Sequence, residues 1–186
     1  FIRMEMGVPG LAPSRIGTEA EIEALKHGVA QFYPMLEGYP VLSEEASRFV
    51  KNFMDVDIRP EGIIPTVGAM QASYVAFMAL TECHKGKDTI LFIDPGFPVQ
   101  KTQLEVIGKP YQTFDIYEYR EEKLEAKLRE YLDRGNIAGI VYSNPNNPSW
   151  VCLTDFELQV IGKLATEYDT IILEDLAYFA MDFRKD

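Results

Sequence analysis

Cysteine and long apolar runs are scarce in this 186-residue chain, and each shortage excludes a class of protein. Its two cysteines, Cys83 and Cys152, are too few and too scattered for the disulfide framework of a small secreted domain. No apolar run is long enough for a transmembrane helix, and no signal segment opens the chain. Cys83 and His84 are adjacent but lack a second cluster of ligands, so we predict no metal site. We therefore expect no membrane partner and a reducing, cytoplasmic setting.

Positive charge is also in short supply. The chain has 18 lysine and arginine residues against 29 acidic residues, which gives a formal net charge of -11. A nucleic-acid backbone would be repelled, so we expect no nucleic-acid partner, although one small phosphate can still bind at a local site. The hydrophobic fraction of 47% is typical of globular domains. Because the first residue is Phe1 and not Met, we expect the chain to begin inside a longer polypeptide.

Strand and helix patterns alternate along most of the chain. Strands are predicted at 63–67, 89–93, 111–114, 137–142 and 170–173, and helices at 72–83, 99–107, 121–134 and 155–167. This alternation predicts a three-layer α/β/α fold around a mainly parallel sheet. Two further helices are predicted upstream, one from a capping box at Thr18 to Tyr33 and one at 43–54. We expect residues 1–58 to form a helical arm, and 59–186 to be part of a sheet domain that continues beyond Asp186.

Two carboxylates follow the last predicted strand, which is apolar enough to be fully buried. Ligands bind at the carboxyl ends of the strands in open α/β sheets, so Asp175 is a candidate anchor for a cationic group. Tyr178 supplies a phenol nearby. The alternative, a structural aspartate that caps the next turn, is equally supported by this stretch alone.

Two other strand ends carry residues that suit a flat, phosphorylated ligand. Gly68, Ala69 and Met70 lead from a predicted strand into a helix, where backbone N–H groups and the helix dipole favour an anion. Close helix packing explains such a glycine more often than phosphate binding does, and no dinucleotide or P-loop fingerprint is present. Phe97 lies in a proline-bracketed turn, where its ring can stack on a flat ligand or plug the core.

The most distinctive string is Asn144-Pro145-Asn146-Asn147-Pro148 at the end of the strand predicted at 137–142. Two prolines hold such a segment extended, so we expect its amides to point outward as donors. Together the strand ends predict an anion cradle, a stacking ring, an amide and a carboxylate beside a phenol. Pyridoxal phosphate has the matching parts, since a carboxylate beside its pyridine nitrogen keeps that nitrogen protonated.

These residues resemble the class I/II aminotransferases, which are fold type I pyridoxal-phosphate enzymes. The match covers nearly the whole chain, as the first half of such an enzyme, whose large domain would be incomplete here. The resemblance implies that the following positions bind the cofactor: Tyr33, Gly68, Ala69, Met70, Phe97, Asn147, Asp175 and Tyr178. It also implies that Gly7 and Asn147 contact the substrate, and that Tyr33, in a Y-x4-G-x-P-x-L segment, reaches the cofactor phosphate of a partner subunit in a homodimer.

The function that the resemblance implies is transfer of an amino group between an α-amino acid and a 2-oxo acid. No catalytic residue of the family falls within these positions, because its Schiff-base lysine is expected downstream of Asp186. We therefore expect the 186 residues alone to be inactive. Three alternatives stay open: a lyase or decarboxylase of the same fold, a ligand-sensing domain of a transcription regulator, and a non-catalytic nucleotide-binding domain. One departure from the family is Trp150, which stands where a glycine is usual.

Overall fold

The structure, a computed structural model, describes residue 2 and residues 10–181 of the chain. The chain forms two compact units, Phe1–Pro65 and Thr66–Asp186. In the described part of the chain, no helix has the length and apolar character that a membrane crossing requires.

The first unit contains two helices, α1 (Arg15–Lys26) and α2 (Pro40–Met54). The predicted capping box at Thr18 is wrong, because Ser14 is the N-cap and accepts a hydrogen bond from the Gly17 N–H. Helix α1 also ends earlier than predicted, since Gly28 takes a left-handed conformation at φ 80° and turns the chain away. Helix α2 begins three residues before its predicted start, with Pro40 in the first turn, where a missing N–H has no cost.

The strand predicted at 63–67 is not formed. Pro65 has no N–H to give to a ladder, and the carbonyls that precede it are bonded to α2. The Ser47 hydroxyl donates to the Ile58 carbonyl, and the Ser43 hydroxyl donates to the Ile63 carbonyl at 3.5 Å. This segment is therefore held along a helix and not beside a strand.

In its described residues, 66–181, the second unit is a parallel four-stranded sheet with four α-helices. Its strands are β1 (Thr89–Asp94), β2 (Tyr111–Asp115), β3 (Ile137–Ser143) and β4 (Ile171–Asp175), in the spatial order β2-β1-β3-β4. Its helices are α3 (Gly68–Cys83), α4 (Pro98–Val106), α5 (Glu122–Leu132) and α6 (Asp155–Glu167). Every pair of neighbouring strands is parallel, so the carboxyl ends of all four strands lie along one edge. The α/β prediction is confirmed.

Apolar side chains fill both faces of this sheet. Alternate residues of β1 point to opposite faces, with Leu91 and Ile93 in one core cluster and Ile90 and Phe92 in the other. The first cluster includes leucines of α5 and α6, and the second includes Phe77 of α3 and Leu104 of α4. Helices therefore cover both faces, which makes three layers.

The prediction that the last strand is fully buried is wrong. Strand β4 is intermediate to exposed in accessibility along its length, and Ile171 is 36% exposed. The physical reason is its place at the edge of the described sheet, where only β3 lies beside it. The apolar sequence of β4 predicted that neither of its faces would reach solvent.

A buried ion pair fixes the segment before α5 to the start of α6. Glu157 is fully buried, and its carboxylate accepts hydrogen bonds from the Arg120 guanidinium, one of them at 2.7 Å. The same carboxylate accepts from the backbone N–H groups of Glu121 and Thr154, at 3.0 and 2.9 Å. The predicted capping box between Thr154 and Glu157 is confirmed. The carboxylate of Glu157 thus ties the start of α6 to Glu121, 36 residues earlier in the sequence.

Candidate functional site

A cleft of about 130 Å³ lies within the second unit, at the carboxyl edge of the sheet. Its wall comes from the start of α3, the start of α4, the loop after β3 and the end of β4. The lining residues are Ala69, Met70, Ser73, Phe97, Gln100, Ser143, Asn147, Asp175, Ala177 and Tyr178. Six predicted site residues, separated by up to 109 positions, are thus brought to one cavity.

Asp175 is the last residue of β4, and both of its carboxylate oxygens are held. Oδ2 accepts a hydrogen bond from Gln100 Nε2 at 3.0 Å, and Oδ1 accepts from the Ala177 N–H at 3.1 Å. The Asp175 carbonyl accepts from the Asn144 N–H at 3.2 Å, which ties the strand end to the neighbouring loop. The carboxylate is therefore positioned before any ligand arrives.

The start of α3 forms another part of the cleft wall. Gly68 has φ 74°, a left-handed conformation that favours glycine, and a Cβ built on it would meet nothing within 4 Å. No side chain caps the helix, so N–H groups of its first turn have no intrahelical acceptor. This turn is anchored from behind, because Gln103 Nε2 donates to the Met70 carbonyl at 2.8 Å and the Ser73 hydroxyl donates to Gln103 Oε1 at 2.8 Å. The anchored first turn thus places Ala69 and Met70 beside the cleft.

Phe97 is the N-cap residue of α4. It is partly buried, lines the cleft and belongs to neither core cluster. Its position therefore favours the ring-stacking interpretation over a core plug.

The asparagine loop after β3 divides into one residue that faces the cleft and two that do not. Asn144 Oδ1 accepts from the Leu153 N–H at 3.1 Å, and buried Asn146 donates through Nδ2 to the Pro95 carbonyl at 2.6 Å. The expectation that all three amides point outward is wrong for these two, because both side chains are hydrogen-bonded to backbone groups. Asn147 lines the cleft.

Two aromatic rings meet at the outer side of the cleft. Tyr178 lines it, and the Trp150 ring lies edge-on to Tyr178, with centroids 5.7 Å apart at an angle of 67°. Trp150 adopts φ 57° and is 50% exposed. It belongs to the loop that also carries Asn147.

Among the described residues, the cleft lining contains one carboxylate, one phenol and no lysine or arginine. Glu174, next to Asp175 in β4, is partly buried, and burial raises its pKa while a hydrogen bond from Asn144 opposes that rise. Lys101 of α4 forms an ion pair with Asp94 at 2.5 Å, and neither of these residues is part of the cleft lining, which contains Asp175. The site therefore combines the carboxylate of Asp175 with the start of a helix in one lining.

Three predicted residues are not among those that line the cleft. Gly68 is the residue before Ala69 at the start of α3. Tyr33 belongs to the first unit, where its side chain is fully exposed. Gly7, predicted to contact substrate, lies outside the described residues. Within the described residues, no group of three or more histidine, cysteine or acidic side chains is arranged to hold a metal ion.

Sequence patterns missed Gln100 and Ser73. Gln100 is 7% exposed and donates directly to Asp175. Its signal is the spacing Phe97-x-x-Gln100, which places the amide one helical turn after the ring and on the same side of α4. Ser73 had no comparable signal, since a small residue in a helix commonly serves packing.

Comparisons with known proteins agree on one family. A family model described as aminotransferase class I and II matches residues 4–185. An aspartate aminotransferase of Pyrococcus horikoshii is 30% identical over 180 residues, which are 95% of this chain and 44% of that protein. An asparagine–oxo-acid transaminase of Streptococcus mutans is 23% identical over 177 residues, with the same coverage. An alanine aminotransferase structure from Pyrococcus furiosus matches with a TM-score of 0.81 at 25% identity, over 95% of this chain and 44% of that one. The chain spans a little under half the length of these relatives.

Proposed function

This chain belongs to the class I and II aminotransferase family, and on that premise we propose that it is part of a pyridoxal-phosphate-dependent aminotransferase. The reaction is transfer of an amino group between an α-amino acid and a 2-oxo acid. The observation that carries the proposal is the convergence of Asp175, Asn147, Phe97 and Tyr178 with the start of α3 on one cleft.

The residues of the cleft fit pyridoxal phosphate. Its phosphate suits the N–H groups at the start of α3, where Gly68 leaves open space. Its flat ring suits the face of Phe97, and its phenolic oxygen suits the Asn147 amide and the Tyr178 hydroxyl. When bound, this cofactor supplies an electron sink for the substrate carbon that loses a proton.

Asp175 supplies the charge that such a sink requires. Its carboxylate would hold a proton on the pyridine nitrogen, because opposite charges favour each other's ionised forms. Gln100 and the Ala177 N–H keep that carboxylate oriented without neutralising it. Neutral donors orient a carboxylate and leave its negative charge available to a cation. A lysine partner would instead neutralise that charge.

The wider assembly follows from the family resemblance. We propose a cytoplasmic homodimer in which residues 1–58 form the dimer-contact arm, residues 59–186 are part of the large domain, and Tyr33 reaches the phosphate in the partner subunit. Exposure of the Tyr33 side chain in the first unit is compatible with such a contact. None of the described lysines lines the cleft. From the family resemblance, we propose that the lysine that bonds to the cofactor, like the arginine that binds the substrate carboxylate, lies downstream of Asp186.

Replacing Gln100 with leucine is expected to raise the dissociation constant for pyridoxal phosphate about three- to tenfold. Asp175 Oδ2 would lose its donor, and a net hydrogen bond is worth about 0.5–1.5 kcal/mol. An absorption titration of the purified protein measures the constant. Gln159→Leu, an exposed change of the same type on α6, is the matched control and should leave it unaltered. Equal effects of the two substitutions would contradict the role of Gln100.

The proposed function is tested by comparing pyridoxal phosphate with pyridoxal. The phosphorylated form is expected to bind at least about tenfold more tightly, because hydrogen bonds to a charged group are worth about 1.5–3 kcal/mol. The full-length protein is then incubated with an α-amino acid and a 2-oxo acid, and formation of the new amino acid is followed. Equal affinity for the two forms would contradict the phosphate cradle. Release of ammonia or carbon dioxide without a new amino acid would favour lyase or decarboxylase chemistry.

A further inference from the structure

Trp150 occupies a backbone position that a bulky residue rarely takes. Its φ of 57° lies in the left-handed region, where glycine is relaxed and a large side chain is strained. Residues held in such conformations are concentrated at functional sites, where the surrounding structure imposes them. A tryptophan at this place therefore calls for a reason beyond the shape of the loop.

The loop itself does not depend on the indole. The Trp150 N–H donates to the Asn146 carbonyl at 2.8 Å, and the Asn146 N–H donates to the Val151 carbonyl at 3.0 Å. Asn146 is 6% exposed and is anchored by its side chain to Pro95 and to Ser143. Backbone bonds and one buried amide thus fix the turn, whereas the indole is half exposed.

What the indole does contact is the aromatic wall of the cleft. Its ring meets Tyr178 edge-on at 5.7 Å, an arrangement that aromatic pairs favour. Tyr178 follows β4 in a turn, three residues after Asp175, and its ring lines the cleft. A tyrosine in such a turn needs a packing partner to stay in one orientation, and Trp150 provides it from the opposite loop.

We propose that Trp150 is a positioning residue, which holds the Tyr178 phenol at the cofactor cleft at the cost of a strained backbone. The inference rests on the proposed function, since the cleft is taken to bind pyridoxal phosphate. It accounts for a tryptophan where a glycine would be the relaxed choice. Loss of the indole should therefore weaken the site without weakening the fold.

The test uses Trp150→Gly, with Trp150→Phe as the conservative variant. Trp150→Gly is expected to unfold at the same temperature as the wild type or higher, because glycine adopts this φ freely. Its dissociation constant for pyridoxal phosphate should rise about three- to tenfold, as expected for loss of an aromatic pair. The visible circular dichroism of the bound cofactor should also weaken, since it reports a fixed orientation. Trp150→Phe should keep the affinity within about twofold, because an aromatic pair is retained.

A double-mutant cycle identifies Tyr178 as the residue through which Trp150 acts. In a Tyr178→Ala background, Trp150→Gly is expected to cause no further loss of affinity, because the contact is already gone. Additive losses would overturn the proposal, and so would unchanged affinity and dichroism in the Trp150→Gly single variant.

Trp150 also reports on the site directly, because it is the only tryptophan in the chain. Pyridoxal phosphate bound beside Tyr178 should quench the fluorescence of Trp150, and the quenching should follow the same binding curve as the absorbance. If the wild type binds no pyridoxal phosphate by either signal, the proposed function and this inference both fail. If the absorbance shows that the wild type binds pyridoxal phosphate but the Trp150 fluorescence is unchanged, the inference alone fails.

Discussion

Asp175→Ala is expected to weaken binding of pyridoxal phosphate about 10- to 100-fold and to reduce transamination by the full-length protein at least as much. The reason is loss of the one carboxylate in the cleft lining, since a hydrogen bond to a charged group is worth about 1.5–3 kcal/mol. Absorption titration gives the affinity, and a coupled assay with an amino acid and a 2-oxo acid gives the rate. Gln100 would lose its acceptor as well, which adds to the disturbance.

Asp175→Asn separates charge from shape. The amide oxygen can still accept from the Ala177 N–H, so the local turn should persist while the negative charge is lost. We expect turnover to fall more than affinity, because a neutral partner no longer favours the protonated pyridine nitrogen. Asp155→Asn, an exposed change in the first turn of α6, is the control and should alter neither quantity. Wild-type turnover in Asp175→Asn would refute the assigned role.

Arg120→Ala is expected to lower the free energy of unfolding by about 3–5 kcal/mol. Glu157 is fully buried, so removal of Arg120 leaves a carboxylate out of water with only backbone N–H groups to compensate it. Urea or guanidinium unfolding followed by circular dichroism measures the change. The control is Lys163→Ala on α6, the helix that carries Glu157. It breaks an exposed ion pair with Glu125 and should lower the free energy of unfolding by at most about 1 kcal/mol.

The destabilisation by Arg120→Ala should also depend on pH in one direction. Burial raises the pKa of Glu157. The hydrogen bonds from Arg120 and from the N–H groups of Glu121 and Thr154 together lower it by more than burial raises it, so the pKa lies below its ordinary value. The ion pair therefore stabilises the fold fully above the unfolded pKa of about 4.3, and this contribution is lost as pH falls through the lower folded pKa. The difference between wild type and variant should shrink below about pH 4. A constant difference down to acid pH would show that the charge is not responsible.

The elements of the second unit follow closely from local sequence. Strands β1 and β3 are apolar runs bounded by turn residues, and the box from Thr154 to Glu157 marks the start of α6 within one residue. The first unit was harder to predict. Its helix starts depend on Ser14 and Pro40, and either end of a helix can shift by a turn when a second capping residue is close.

The wrong prediction of a strand at 63–67 has a different cause. Its composition suits a strand, but Ser43 and Ser47 of α2 bond to carbonyls of the segment that leads into it. Those partners lie up to 20 residues away in sequence, so no window of local propensity includes them.

Apart from the wrong strand at 63–67, the sequence by itself determined the order of helices and strands, the parallel sheet and the strand ends at which a ligand site should lie. Alternation of apolar runs with amphipathic helices leaves few arrangements in which both faces of the sheet are buried. Only the tertiary structure decided which groups meet there. It bonded Asn144 and Asn146 to backbone groups, gave Asp175 a donor on Gln100, 75 residues away, and set Trp150 against Tyr178. Such pairings depend on how loops pack side by side, because a side chain's partner is fixed by distance in space and not by spacing along the chain.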